Sequence, residues 1–302
     1  MGHTTTPCLQ MEPPCSMFEI FHDPLSKDPS ASFPLDGIDL DTVSDEQLIS
    51  ISRISPVLYR FWSTTIVRLS VNLILKFGVG MQMSEIEAMK CALSRTTVPT
   101  PKLHRYFFAQ SETSASSQCG YIVMDYIEGN TLADIWDTLD QEKRKHIFSQ
   151  IASIVAQLRT VHFDQPGPLG GGSCKGFWFT EYTAGPFNNK EEFNDWFTHK
   201  LEISQLFGWA RKELPPFNYN SFVLVHQDLI PQNLMLDSDG KVWIIDWGNA
   251  GAYPALFEAA RVSGSFMFEE YSALLLSHIY DDAAERDHLM GVLSALVSAG
   301  CR

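Results

Sequence analysis

The apolar positions of this chain change period twice. From Ile66 to Leu69, Leu73 to Phe77, Lys102 to Phe108 and Tyr121 to Ile127 they cluster in short runs bounded by turn residues, which predicts strands. Ser70-Val71-Asn72 joins the first two, and the polar stretch 111–118 separates the last two. A helix interrupts the strands: Ser84 reads as its cap, and Ile86, Met89 and Leu93 share one face. Earlier still, Ser44-Asp45-Glu46-Gln47 has the form of a capping box opening a short helix through Ile51. After Gly129 the period turns helical. Helices are predicted from Leu132 to Leu139, from Gln141 to His162 with Ile147, Ile151, Ile154, Val155 and Leu158 inward, and from Lys190 to Trp209. Two more helical stretches, Pro254 to Leu275 and Asp282 to Ala299, close the chain. The organisation expected is a flexible segment over 1–43, rich in proline, a small antiparallel sheet with one helix over 44–127, and a larger, mostly helical part over 128–302.

One hairpin breaks the helical run. Asp239-Gly240 reads as a two-residue turn between Leu234–Leu236 and Val242–Ile245. With Ser238 facing Lys241, Asn233 falls opposite Asp246, and directly opposed residues project to one face about 5 Å apart at Cβ. An amide oxygen and a carboxylate so placed suit one hard cation. Just upstream, His226, Asp228 and Asn233 fit H-x-D-L-x-x-x-N, a pattern in which the aspartate contacts an acceptor hydroxyl and the asparagine binds magnesium.

Composition narrows the partners. Of 302 residues, 45% are hydrophobic and 19% charged, as in an ordinary globular protein, and no apolar run approaches a membrane span. A net charge of −14 argues against a nucleic-acid ligand and would suit a cationic one. The six cysteines show no metal-ligand or paired spacing and read as reduced thiols of a cytoplasmic protein. Met1-Gly2-His3-Thr4-Thr5-Thr6 matches an N-myristoylation pattern, with Cys8 and Cys15 as palmitoylation candidates, although no basic patch supports an anchor at Gly2. Trp178, Tyr182, Phe187 and Trp196, interspersed with Glu181, Glu191, Glu192 and Asp195, fit either an acceptor pocket for a cation or plain helix packing.

The order of these parts, with His226-Gln-Asp-Leu-Ile-Pro-Gln-Asn233, the block Ile245-Asp246-Trp247-Gly248-Asn249-Ala250-Gly251 and the stretch Thr96 to Pro101, resembles the aminoglycoside phosphotransferase family, especially its fungal members of unassigned substrate. The resemblance spans about residues 60–265. It implies an α+β, protein-kinase-like bilobal fold and transfer of the γ-phosphoryl group of ATP, with Mg2+, to a hydroxyl of a small organic molecule. Asp228 would orient or deprotonate that hydroxyl, and Asn233 and Asp246 would ligate Mg2+. Lys76 resembles the strand lysine that contacts the α- and β-phosphates. Glu85, with Glu87 second, would be its partner, and the connector Met124, Asp125, Tyr126 and Ile127 would hold the adenine. No glycine lies between Gly37 and Gly78, so Ser63-Thr64-Thr65 is the candidate cover for the phosphates. Gln227 stands where the family more often has Gly or Arg. A nucleotide-binding pseudokinase and a protein kinase are the alternatives.

Overall fold

The structure is a computed structural model that describes residues 21–28, 30–111, 117–179, 184–264, 268–279 and 282–298. The lipidation motif, Cys8, Cys15, Cys301, Glu181 and Tyr182 lie outside those residues. The chain forms two compact units, one of Met1–Gly80 and Phe108–Tyr121, the other of Met81–Phe107 and Ile122–Arg302.

In the first unit the capping box is formed. The Ser44 hydroxyl accepts from the Gln47 N–H, the Gln47 side chain accepts from the Ser44 N–H, and helix α1 (Asp45–Ser52) follows. Where the sequence reads as a lead-in, residues from Phe33 onward contribute buried apolar side chains: Phe33, Leu35 and Val43 are within the core. Asp36 fastens this segment by accepting from the Phe33 and Val71 N–H groups. Strand β1 (Val57–Phe61), absent from the apolar pattern because its burial is only partial, pairs antiparallel with β2 (Thr64–Arg68), and β2 pairs antiparallel with β3 (Leu73–Val79). The turn between β1 and β2 is Trp62-Ser63, with Trp62 in the left-handed region (φ 53°) and exposed. Thr64 pairs with Gly78, whose missing side chain lets the Ser63 carbonyl approach: a Cβ there would stand 2.2 Å from that oxygen. With β4 (Leu103–Gln110) and β5 (Gln118–Asp125) the strands make a five-stranded sheet in the order β1-β2-β3-β5-β4.

The second unit opens with α2 (Met83–Arg95). Its N-cap is Gln82 rather than Ser84, and its inner face is Glu85, Ile86, Ala88, Met89 and Ala92, while Leu93 is 38% exposed. Ile86 and Met89 of the predicted stripe are thus buried, and Ala88 and Ala92 complete it in place of Leu93. Strand β6 (Gly129–Thr131) leads into α3 (Leu132–Ile135), a single 3-10 turn continues it, and α4 (Gln141–Leu158) buries the five residues its period predicts. It stops short of His162 because the chain turns into strand β7 (His162–Phe163). Strand β8 (Gly167–Pro168) and helix α5 (Lys190–Leu206) follow, the helix capped by Asn189.

Two small sheets carry the remaining strands. Strand β9 (Phe222–Val225) lies between β7 and β12 (Gly251–Tyr253), and β12 also pairs with β8. Between β9 and β12 in sequence runs the hairpin β10 (Leu234–Asp237) and β11 (Val242–Ile244), with β6 along its other edge. The C-terminal stretches are four helices rather than two: α6 (Leu256–Ser263), α7 (Glu269–Leu276), α8 (Ala283–Met290) and α9 (Leu293–Ser298). The main core here is aromatic, with Trp178, Phe193, Phe197, Phe222, Tyr253 and Phe257 all fully buried or nearly so. No described helix is long and apolar enough to cross a membrane.

Candidate active site

The register of the β10–β11 hairpin differs from the one the sequence suggests. Leu234 pairs with Ile244, Met235 with Trp243 and Leu236 with Val242, so the partner of Asn233 is Ile245, whose N–H donates to the Asn233 carbonyl at 3.0 Å. Asn233 and Asp246 are not opposed. The turn has three residues, Ser238-Asp239-Gly240, closed by Asp237 N–H to Lys241 O, with Gly240 in the left-handed region (φ 76°). A three-residue loop of this kind, a turn followed by a left-handed glycine, shifts the register by one relative to a two-residue turn. The Asp237 carboxylate selects it by accepting from the Asp239 and Lys241 N–H groups.

A second departure from regular strand geometry follows at Asp246. Asp246 is itself left-handed (φ 63°), so the chain leaves the ladder there and its side chain does not follow the strand's alternation. The Asp246 charge acts on Asp228, adding to the rise in its pKa that burial causes. Asn233 reaches the same aspartate directly: its amide donates to Asp228 Oδ2 at 2.8 Å and to the Asp228 carbonyl at 3.0 Å. Asn233 and Asp246 therefore both act on Asp228, by a route other than cross-strand opposition.

The catalytic-loop candidates are held from behind by α6. Glu258, fully buried, accepts from the His226 N–H at 2.7 Å and the Gln227 N–H at 3.4 Å. Burial raises its carboxyl to about 7, against the lowering by those two N–H groups and the Arg159 charge. One helical turn on, Arg261 Nη2 donates to Asp228 Oδ1 at 3.0 Å, and its guanidinium lies 4.8 Å from the centre of the Phe177 ring. Burial pushes the Asp228 pKa up; Arg261 and the Asn233 amide pull it down, and Asp246 adds to the rise. Neither Glu258 nor Arg261 was singled out from sequence. The available signal was a charged pair three apart in the otherwise apolar helix Leu256–Ser263, which places both on one face.

His226 is fully buried with its ring edge-on to Trp247 at 4.9 Å, in keeping with a loop-fixing role. Gln227 is left-handed (φ 64°) and buried, and its Nε2 donates to the Asn249 carbonyl at 2.8 Å, tying the segment of Asp228 to the segment of Asp246. The side chain points into the protein, which accounts for glutamine in place of glycine.

The remaining candidates divide between the units. Lys76, in β3 of the first unit, is 6% exposed; Glu85, in α2 of the second, is 4% exposed. Glu85 flanks Gly248 together with Asp246: a Cβ at Gly248 would lie 3.6 Å from Glu85 Oε2 and 3.4 Å from Asp246 Oδ1. Glu87 instead points outward and pairs with Lys90 at 2.8 Å. Lys175, half-buried, is a further cation near Glu85: burial lowers its pKa and the Glu85 charge opposes that. Met124 and Ile127 are buried. Asp125 accepts from the Lys102 N–H and pairs with His104 at 2.7 Å, and Tyr126 follows it in the connector. The stretch Thr96 to Pro101 is anchored on both sides, Thr97 donating to Gln157 and Pro99 accepting from the Ile244 N–H at 2.9 Å.

Among the described residues, the aromatic candidates Trp178, Phe187 and Trp196 pack into the core. Trp178 is fully buried and donates to the Phe257 carbonyl, Phe187 and Trp196 lean on the same core, and Glu192 bonds Asn188 at the start of α5.

A magnesium ion fits the donor set. Both contacts of the Asn233 amide nitrogen go to Asp228, so the side-chain oxygen of Asn233 and the Asp246 carboxylate are the donors that would be offered to such an ion. Mg2+ takes one or two such protein oxygens and completes its shell with phosphate and water. Among the described residues no group of three or more His, Cys, Asp and Glu is assembled to hold a metal.

A site with these parts on this fold defines a kinase-like phosphotransferase. The model of the phosphotransferase enzyme family matches residues 83–289, and the chain belongs to that family. Similar solved structures include the ADP-bound aminoglycoside phosphotransferase APH(2'')-Ib (TM-score 0.53, 13% identity, 86% of this chain and 92% of that one). A thermostable mutant of aminoglycoside phosphotransferase APH(4)-Ia in ternary complex with ADP and hygromycin B gives a TM-score of 0.52 at 13% identity, covering 85% and 92%. The GDP complex of an aminoglycoside 2'-phosphotransferase-IIIa mutant gives 0.51 at 12% identity, covering 79% and 80%. At these identities the likeness is one of fold, and that fold is the α+β, protein-kinase-like one expected from the sequence. A search of curated proteins found no match.

Proposed function

We propose that this enzyme transfers the γ-phosphoryl group of ATP, in a Mg2+-dependent reaction, to a hydroxyl of a small organic molecule. The observation that carries the reading is the setting of Asp228: one carboxylate oxygen on the Asn233 amide, the other on Arg261, with the Asp246 charge acting on it. Asn233 and Asp246 would hold the ion, which supplies neutralisation of phosphate charge when bound. Lys76 is assigned to the α- and β-phosphates with Glu85 as its partner, and the connector Met124 to Ile127 to the adenine.

Asp228 aligns the acceptor hydroxyl and takes its proton. An exposed aspartate is a poor base at neutral pH, and the raised pKa that burial gives Asp228 makes it a better one. Glu258 and Gln227 fix the loop on which it sits, so little reorganisation accompanies transfer. The transition state of phosphoryl transfer is loose, and positioning with charge stabilisation is what the protein must provide.

The test is transfer of γ-labelled phosphate from ATP to a library of hydroxylated small molecules. Label in organic phosphate, lost in Asp228→Asn, supports the proposal. Nucleotide binding without any transfer would make the chain a nucleotide sensor, the reading that the glycine-free Trp62-Ser63 turn favours. Label confined to added peptides would make it a protein kinase.

A further inference from the structure

We infer that the acceptor is anionic: a hydroxy acid whose carboxylate is held by Arg261 while its hydroxyl sits on Asp228. The inference rests on the phosphotransferase reading above and names its substrate class.

The geometry is set by the two oxygens of Asp228. Oδ2 accepts from Asn233, on the side of the candidate metal ligands, and Oδ1 accepts from Arg261. Because the lone pairs of a carboxylate diverge, Arg261 approaches from the side away from Asn233. That is the side on which an acceptor hydroxyl must arrive if the phosphoryl group is presented from the metal side. Arg261 therefore borders the acceptor's position.

The guanidinium is equipped for a second partner. It has five N–H donors in a planar fork, and its ion pair among the described residues is with Asp228 alone. Its side chain is 17% exposed, so part of the fork is reachable. The Phe177 ring beneath it fixes its position and gives the adjoining surface an apolar face. A carboxylate matches the fork in shape and charge, through paired N–H···O contacts. By drawing part of the guanidinium's attraction to itself, it leaves Asp228 Oδ1 more available to the hydroxyl proton.

The same geometry disfavours a cation. The net charge of −14 suits a cationic acceptor in the bulk field, but over a few ångströms the nearest group decides. A like charge about 5 Å from Arg261 in a partly buried site weakens binding on the order of 100-fold. Of the aromatic and acidic residues that a cation pocket would use, Trp178, Phe187 and Trp196 are drawn into core packing, and Glu192 bonds Asn188 at the start of α5.

The experiment measures binding of three matched probes to the full chain in the presence of Mg2+ and ADP: 4-(hydroxymethyl)benzoate, 4-(hydroxymethyl)benzylamine and 1,4-benzenedimethanol. Competition in saturation-transfer NMR ranks them. The acid is expected to bind at least about 10-fold more tightly than the amine or the diol, as for one charge-assisted contact. Arg261→Gln should erase that preference, and Arg261→Lys, which keeps the charge but not the fork, should leave an intermediate one; thermal melts establish that each variant is folded. Equal binding of the three probes, absence of binding included, overturns the inference, as does a preference for the amine or one untouched by both substitutions. Labelled transfer separates the two readings. Transfer to amines but not to acids sinks this inference and leaves the kinase intact, whereas an Arg261-dependent acid preference without transfer to any compound leaves an anion site and removes the kinase.

Discussion

The side-chain amide of Asn233 donates to the Asp228 carboxylate at 2.8 Å, and this contact joins the candidate base to the candidate metal ligand. It turns the amide nitrogen of Asn233 toward Asp228 Oδ2, and Asp228 Oδ1 accepts from Arg261. Asp228→Asn replaces an acceptor-only group by an amide, and Asp246→Asn removes a charge that acts on Asp228. Each is expected to lower turnover by about 1,000-fold or more, the scale on which a charge aligned with reacting atoms contributes. Both variants should still melt cooperatively, with Asp228→Asn lowering the midpoint because it leaves Arg261 without its ion-pair partner. Full turnover in both variants would reject the site.

Glu258 makes stability depend on pH. Its ordinary value is 4.5 and burial raises it to about 7 in the fold. Between those values the folded state keeps a proton that the unfolded chain has released, so the contribution is complete below 4.5 and is lost as pH rises through 7. The size is on the order of 3 kcal/mol. Urea unfolding at pH 5 and pH 8 should show the wild type losing this increment relative to Glu258→Gln. Parallel curves would contradict it.

Gln227 sets backbone strain against a hydrogen bond. A left-handed φ costs a non-glycine residue about 1 kcal/mol, and the bond to Asn249 returns a similar amount. Gln227→Gly removes both and should be nearly neutral in stability. Gln227→Ala keeps the strain and loses the bond, and should cost about 1–2 kcal/mol. Chemical denaturation distinguishes the order; alanine proving the more stable would refute the clamp. Both variants should lower kcat.

Gly78 admits no side chain. A Cβ would meet the Ser63 carbonyl oxygen at 2.2 Å, and Gly78 is paired backbone while Ser63 directly precedes its partner Thr64, so neither has much room to move. Gly78→Ala should destabilise by about 2 kcal/mol or more, read by denaturant midpoint, whereas an unchanged midpoint would mean that the β2–β3 pairing is looser than described.

Much of this was legible in the chain. The Ser44–Gln47 capping box, the buried stripe of α4 and the H-x-D-L-x-x-x-N block are local patterns, and local patterns are readable when spacing alone decides them. The register of the hairpin was not. Asp239-Gly240 signals a turn, but whether two or three residues form it depends on the Asp237 carboxylate binding the N–H groups ahead of it. Nor does alternation along a strand foresee the left-handed Asp246. Glu258 and Arg261 lie 32 and 33 residues from the groups they bind, so only the folded chain reveals them as part of the site. The aromatic cluster left two readings open for a related reason: Trp178, Phe187 and Trp196 have the same composition whether they face a ligand or each other, and here they join the core.

Calorimetric titration of ADP with and without Mg2+, on the wild type and on Asn233→Ala and Asp246→Ala, probes the ion cradle itself. Magnesium should tighten ADP binding to the wild type by about 10-fold or more, and each substitution should abolish that gain while leaving metal-free binding in place. Variants that bind ADP with an undiminished magnesium effect would show that these two side chains do not hold the ion, and the phosphoryl-transfer site built around Asp228 would have to be abandoned.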